Sequence, residues 1–382
     1  MLEALTNARV LVGDTLVAGH AVLLEAGRIV EVVSGNDPRC ARASRSDLGG
    51  GILLPGFIDT QVNGGGGALF NEEPSVDTLR VMGAAHRRFG TTSFLPTLIS
   101  DDVAVIARAI DAVRDAMAAK VPGVIGIHIE GPCLNPRRKG AHDVGRLRGL
   151  GTDEVALLSS LGVGRTLVTL APEMTTPETI SRLAAAGVVV SAGHTDASHA
   201  DIVTALRHGL TGFTHLFNAM SPLTSRAPGT VGAALDDPES WCGIIVDGHH
   251  VDPVVLRIAL ACKRLDRFML VTDAMASVGT GQTSFMLQGR KIAVRDGMCV
   301  DEQGILAGSA LDMASAVRNA VQLLGVALPA AAAMASAHPA AFLGLDGELG
   351  RIAPGHRANL VHVDERIHVL RTWIDGELSA VR

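Results

Sequence analysis

The stretch Val124-Ile125-Gly126-Ile127-His128-Ile129-Glu130-Gly131 decides the fold. Its β-branched residues favour a short buried strand, and that strand closes on a carboxylate. Side chains alternate across a strand, so His128 and Glu130 share one face. Seven further apolar runs repeat the plan: Gly56–Val62, Thr92–Leu98, Arg165–Glu173, Val188–His194, Gly212–Asn218, Cys242–Asp247 and Phe268–Asp273. Most are separated by stretches of helical period. Buried parallel strands read this way, because helices cover one face of the sheet and a barrel interior the other. Eight strand-plus-crossover units predict a (β/α)8 barrel of the TIM type, with its active site at the C-terminal strand ends. Gln61, Asn63, His128, Glu130, Glu173, His194, His215, Asn218, Asp247 and Asp273 stand at or near those ends. A ring of metal ligands and acid–base groups points to an enzyme.

The chain has 382 residues. A barrel takes about 250, which leaves room for one small accessory domain. A hydrophobic content of 47% and a mean hydropathy of +0.31 suffice for a large core. The apolar stretch Leu323–Ala335 is interrupted by Pro329 and is shorter than the ~20 residues a bilayer crossing needs, so no membrane partner is expected. Met1-Leu2-Glu3-Ala4 opens no basic-then-apolar segment, and no secretory leader is expected. Cys40, Cys133, Cys242, Cys262 and Cys299 are scattered without a CxxC, which suits a reducing compartment and a cytoplasmic location. A net charge of −6 offers no basic field for nucleic acid, so an anionic ligand must be held by local groups. Tyrosine is absent, so no phenol serves as a catalytic acid.

The two ends of the chain differ from its middle. Ala8–Val12, Thr15–Val17, Ala21–Glu25 and Arg28–Val33 are strand-like runs broken by Gly13, Gly19 and Gly27, a hairpin pattern. The tail repeats it in Ala358–Val363, His368–Arg371 and Thr372–Ile374. Neither end alone makes a sandwich, so residues 1–53 and 346–382 are expected to pair into one small β-sandwich domain. The barrel, residues 54–345, is then inserted between them. Crossover helices are expected over Val76–Arg88, Val103–Ala119, Asp153–Leu161, Pro177–Ala186, His199–His208 and Pro253–Leu265, with Asp153 and Ser198 as N-caps. The crossover between the sixth and seventh strands is weak, and Thr224–Gly229 reads as a loop. Gln282–Val300 carries hairpin signals at Gln288-Gly289 and Asp296-Gly297, and helices follow near Asp312–Leu324 and Pro329–Phe342.

Glu130 is costly to bury charged without a cation or hydrogen-bond donors; a rim ion pair would also satisfy it. One strand-end histidine is more often a packing residue than a ligand. His194 and His215 on adjacent strands, with Glu130 two strands earlier, instead make a His₂Glu set with room for water, the pattern of a catalytic divalent site. Asp273 in isolation would be an N-cap. Opposite such a metal it can take a proton from water and pass it to a leaving group. His86, His199 and His208 sit on helix faces and read as surface or packing residues. Arg226, in Ser225-Arg226-Ala227-Pro228-Gly229, offers either a fixed guanidinium fork or a solvated loop charge. Asp247-Gly248-His249-His250 brings two imidazoles to the rim. Cys133 lies just past Gly131-Pro132 and is expected as a partly exposed thiol near the pocket mouth, against the alternative of a buried inert cysteine.

Several motifs occur in a characteristic order: Pro55-Gly56-Phe57-Ile58-Asp59, Leu95-Pro96-Thr97, His128-Ile129-Glu130-Gly131-Pro132, Leu170-Ala171-Pro172-Glu173, Ser191-Ala192-Gly193-His194, Thr214-His215-Leu216-Phe217-Asn218-Ala219-Met220 and Val271-Thr272-Asp273-Ala274. The series resembles the amidohydrolase superfamily and, within it, the N-acetylglucosamine-6-phosphate deacetylases, over nearly the whole chain. The resemblance implies a metal-dependent hydrolase of an amino-sugar phosphate, in amino-sugar catabolism and cell-wall recycling, working as a homodimer. It implies that Glu130, His194 and His215 bind the metal, that Asp273 is the general base and acid, and that His142 approaches the substrate carbonyl. Asn218, Ala219, Arg226 and His250 match sugar-phosphate contacts, with Gln61, Asn63 and Leu306 completing the substrate side. Gln61-Val62-Asn63 stands where many amidohydrolases carry His-x-His. Neutral amides are poor ligands for a borderline cation, so one divalent metal per chain is expected, zinc favoured and iron also fitting. Deacetylation of the galactosamine epimer, hydrolysis of another N-acyl amide, and an inactive scaffold of the same fold are the alternatives. The last would have lost Glu130, His194, His215 or Asp273, and all four are present.

Overall fold

The computed structural model describes residues 1–380. Among them, eight parallel strands pair in sequence order into one curled sheet: Phe57–Val62, Thr91–Ile99, Gly126–Glu130, Arg165–Leu170, Val189–Ala192, Leu210–Phe213, Trp241–Ile244 and Phe268–Leu270. The first and last strands meet at the C-terminal rim, where Val62 bridges Ala274 and the Asn63 amide donates to the Ala274 carbonyl at 2.9 Å. The first three strands are buried along their whole length, as expected for strands covered on both faces. This is the barrel that the apolar rhythm predicts.

Helices Val76–Arg87, Val103–Ala118, Thr152–Leu158, Pro177–Ala185, His199–Arg207, Gly229–Asp236 and Pro253–Cys262 cover the sheet. Ser198 caps its helix as expected, accepting from the Asp201 amide at 3.3 Å. Asp153 does not cap: its helix starts at Thr152 after Gly151, whose amide donates to Glu154 at 3.0 Å, and Asp153 lies in the first turn. The weak sixth crossover proves to be a loop followed by the small-residue helix Gly229–Asp236, too short and Gly-rich for a clear period. The helix expected over Pro329–Phe342 is two, Leu328–Met334 and Ala337–Phe342. Pro339 lacks an N–H and its ring would clash with the carbonyl four residues earlier, so the chain breaks at Ser336.

Strands from both ends of the chain share one sheet. Ile52–Pro55 lies between Arg9–Val12 and Leu360–Val363, and Val369–Ile374 and Glu377–Ala380 extend it. Glu3–Thr6, His20–Glu25, Arg28–Ser34 and Ser44–Asp47 form a second sheet. Leu53, Leu360 and Trp373 of the first sheet pack on Leu5, Val22, Leu24 and Ile29 of the second, which makes a sandwich. Ser44–Asp47 escapes a sequence reading because Ser-Arg-Ser-Asp carries no apolar alternation. After the eighth barrel strand, Ser284–Leu287, Arg290–Arg295, Met298–Val300 and Leu306–Ser309 form an antiparallel sheet. Its turns Gln288-Gly289 and Asp296-Gly297 have positive φ at both residues, the backbone of tight two-residue hairpins. The sheet is tied to the barrel rim through the Ser309 amide, which donates to the Asp273 carbonyl at 2.8 Å.

Candidate active site

At the C-terminal rim the barrel opens into a cavity of about 480 Å³. Glu130 enters it from the end of the third strand. His194, His215 and Asp273 enter from the turns after the fifth, sixth and eighth. Each of these three has a left-handed backbone, with φ of 49°, 35° and 53°. Such a conformation costs a non-glycine residue about 1–3 kcal/mol and persists only where the surroundings over-determine it. Here the surroundings do so: the Asn135 amide donates to the His194 carbonyl at 2.9 Å, and the Asp273 amide donates to the Gln61 carbonyl at 3.0 Å.

His194 Nε2 and His215 Nε2 lie 3.1 and 2.9 Å from Glu130 Oε1 and 3.2 Å from each other. His194 Nδ1 faces the Arg138 carbonyl at 2.8 Å. A carbonyl only accepts, so Nδ1 carries the hydrogen and Nε2 presents a lone pair to the cavity. Three ligand atoms converge within 4.8 Å of one another, and two of them are imidazole nitrogens pointing at a shared centre. This donor set fits a divalent cation with an open side for water. Gln61 Nε2 donates to Glu130 at 3.3 Å and so secures the carboxylate from behind. Burial disfavours charge on Glu130, but the two imidazoles of His194 and His215 set against it outweigh that and hold the carboxyl well below its usual range.

Asp273 accepts a 2.6 Å hydrogen bond from Asn63 Nδ2. Burial, reinforced by the negative charge of Glu130, pushes its carboxyl up to about 6. Below it, buried Asp59 accepts from the hydroxyl and amide of Thr272 and is itself pushed up to about 7 by burial. His142 Nδ1 accepts from the Ser100 amide at 3.3 Å, and its Nε2 faces Glu130 across 4.0 Å. Burial, then repulsion from His194, keeps this imidazole neutral, so its hydrogen sits on Nε2 and points into the cavity. His250 Nδ1 is held by Asp247 at 2.6 Å, while His249 is exposed.

Asn63, His142, Asn218, Ala219, His250 and Leu306 line the same cavity as Glu130, His194, His215 and Asp273. Gln61 lies behind the wall. Arg226 is not brought to it; the structure leaves that side chain exposed on the 221–228 loop. Cys133 corrects the expectation of a thiol at the pocket mouth. It is 1% exposed, its Sγ donates to the Met174 carbonyl at 3.3 Å, and burial pushes the thiol up to about 12. The turn after Pro132 folds it inward against the barrel's outer core. His128 is also structural, lying between Thr97 and Thr169 at 3.2 and 2.8 Å. The sequence reading missed Arg137, Arg138, Met275, Leu287 and Ile305 on the cavity wall. The last two belong to the insert after the eighth strand, whose hairpin signals lay on the active face of the barrel.

Residues 52–379 match the amidohydrolase family. The chain belongs to the amidohydrolase family. Among curated members, it is 49% identical over 332 residues to N-acetylgalactosamine-6-phosphate deacetylase of Shewanella sp. (strain ANA-3), covering 87% of this chain and 84% of that one. It is 34% identical over 380 residues to N-acetylglucosamine-6-phosphate deacetylase of Haemophilus influenzae, covering 99% of both. The crystal structure of N-acetylglucosamine-6-phosphate deacetylase from Pasteurella multocida superposes with a TM-score of 0.96 at 36% identity, over 100% of both chains. As an amidohydrolase the chain is a hydrolase, and its His₂Glu cluster lies at the face of the barrel where such enzymes place their chemistry.

Proposed function

We propose that this amidohydrolase deacetylates N-acetyl-D-glucosamine 6-phosphate, releasing D-glucosamine 6-phosphate and acetate. The observation that supports it is the convergence of the His₂Glu set, Asp273 and the neutral His142 on one cavity. Glu130, His194 and His215 would hold one divalent ion, zinc by the chemistry of the set, with iron also fitting. Among the described residues no second cluster of this kind occurs. When bound, such an ion polarises the amide carbonyl and acidifies water.

Asp273, as the carboxylate, takes one proton from the attacking water through the oxygen that Asn63 leaves open. It returns that proton to the amine nitrogen as the C–N bond breaks. His142 donates from Nε2 to the carbonyl oxygen, where charge accumulates as water adds. Water thus supplies the hydroxyl of acetate and the proton of the amine. Asn218, Ala219, Leu306 and His250 would receive the sugar phosphate, and Arg226 on the adjoining loop would bring its guanidinium to the dianion. The same reading makes the protein a cytoplasmic homodimer without nucleic-acid or membrane partners. No helix of the described residues is long and apolar enough to cross a membrane.

The relative from Shewanella favours a second reading, in which the galactosamine epimer is the substrate. Acetate release from both 6-phosphates and from unphosphorylated N-acetylglucosamine, paired with metal analysis, tests both. The first reading expects about one metal per chain and the fastest release from the gluco 6-phosphate. Faster release from the galacto epimer replaces it with the second, and two fully occupied metals per chain refute the single-metal site. No release from either phosphate overturns both readings.

A further inference from the structure

Glu173 follows the fourth barrel strand in the short turn Pro172–Met174 and has no part in the chemistry above. Its carboxylate gathers three donors from two other loops. Oε1 accepts from Asn135 Nδ2 at 2.9 Å and from the Asp196 amide at 2.7 Å, and Oε2 accepts from Thr195 Oγ1 at 2.6 Å. Those donors bracket His194. Thr195 and Asp196 are the next two residues, and the Asn135 amide donates to the His194 carbonyl. The loop that begins at Asn135 also supplies the Arg138 carbonyl that fixes the His194 ring. Asp196 ties back to this loop, accepting from Arg138 Nε at 2.9 Å and pairing with Arg137 at 2.5 Å. One carboxylate therefore joins three loops into a frame around a ligand whose backbone is left-handed and must be held from outside.

We infer that Glu173 is a positioning residue of the metal centre, holding His194 Nε2 towards Glu130 and His215. The inference rests on the metal reading proposed above. Groups that orient a metal's ligands are worth 10–100-fold in metal affinity, although they never touch the ion.

The test is Zn²⁺ affinity of the metal-stripped protein, measured by competition with a chromogenic chelator alongside thermal stability. Glu173→Ala is expected to bind zinc about 10–100-fold more weakly. Glu173→Gln is expected to stay close to the unaltered protein. Its amide oxygen still accepts from Asn135 and Asp196, and its amide nitrogen can donate to Thr195 Oγ1. Thr195→Val removes a single leg of the frame and is expected to lose affinity in the same direction by less, which covers an alanine variant that does not fold. Asp201→Ala breaks only the cap of the neighbouring helix and is expected to leave affinity unchanged. Full zinc affinity in Glu173→Ala or in Thr195→Val would make the frame a loop brace and overturn the inference. A glutamine variant as weak as alanine would overturn the hydrogen-bond origin. An unaltered protein that holds no zinc at all would instead overturn the metal reading, and this inference with it.

Discussion

His215 and Arg226 lie in the same stretch between the sixth barrel strand and the helix after it, yet they are held in opposite ways. His215 is buried, turned by a left-handed backbone and faced by Glu130 and His194. Arg226 is exposed and, among the described residues, makes no side-chain hydrogen bond or ion pair. The contrast separates the cavity wall from the loop beside it. The candidate metal ligands stand on strand ends and their immediate turns, which the packed barrel fixes. The proposed phosphate contact Arg226 hangs on a loop, exposed and outside the cavity lining. Rigid elements suit chemistry that tolerates little misplacement, and loops suit recognition, where side chains are exchanged more cheaply.

The contrast breaks most visibly at Asp273. Asparagine tolerates left-handed backbone and keeps the bond from Asn63, so Asp273→Asn should retain metal and fold while kcat falls ~10²–10⁴-fold. Near-normal turnover with full metal occupancy would remove Asp273 as the base. Because the carboxyl is raised to about 6 and must be ionised to accept a proton, kcat/KM should rise with pH along an acid limb at or below about 6. A bound cation can only move that limb lower. A limb clearly above 7 in the pH–rate profile would assign it to another group. Glu130→Gln should separate the two carboxylates by losing metal first, read as occupancy after dialysis.

At the proposed phosphate contact the expected effects are smaller. A charge-assisted hydrogen bond contributes roughly 1.5–3 kcal/mol, about 10- to 150-fold in binding. Arg226→Ala should lower kcat/KM for the 6-phosphate by about that factor and leave unphosphorylated N-acetylglucosamine almost unchanged. Equal losses on both substrates would make Arg226 a support of the fold. No loss on either would assign the dianion instead to Arg137, a guanidinium on the cavity wall whose side chain is 77% exposed. Smallest of all is Cys133→Ala, which removes a thiol facing away from the cavity. Activity should stay within about twofold, and alkylation of Cys133 should require partial unfolding. Rapid labelling of the folded protein that blocks activity would return the thiol to the pocket mouth.

Glu130, His194, His215 and Asp273 were legible because a buried parallel strand is an apolar run, and the first residues after it face the rim. Arg226 was legible as a charge in a turn but not as a position, since a loop's path depends on what it packs against. Cys133 read wrongly for the same reason. Three residues past a strand end, the chain can turn to solvent or fold back on the barrel, and only the packing against the Pro172–Met174 turn selects the second. Glu173 was singled out at a strand end, but its partners Asn135, Thr195 and Asp196 come from two other loops and share no periodicity with it.

What the sequence determined by itself is therefore the local and repetitive part: eight buried strands, the order of their ends and the residue types that those ends present. Hydrophobic period and turn chemistry act over a few residues and are written in the chain. Tertiary structure decided the rest. It set the left-handed turns that aim His194, His215 and Asp273, the hydrogen on His142 Nε2, the inward Cys133 and the outward Arg226. All but Arg226, which is exposed and unpartnered among the described residues, depend on a hydrogen-bond or packing partner far away in sequence, and such partners exist only once the barrel has closed.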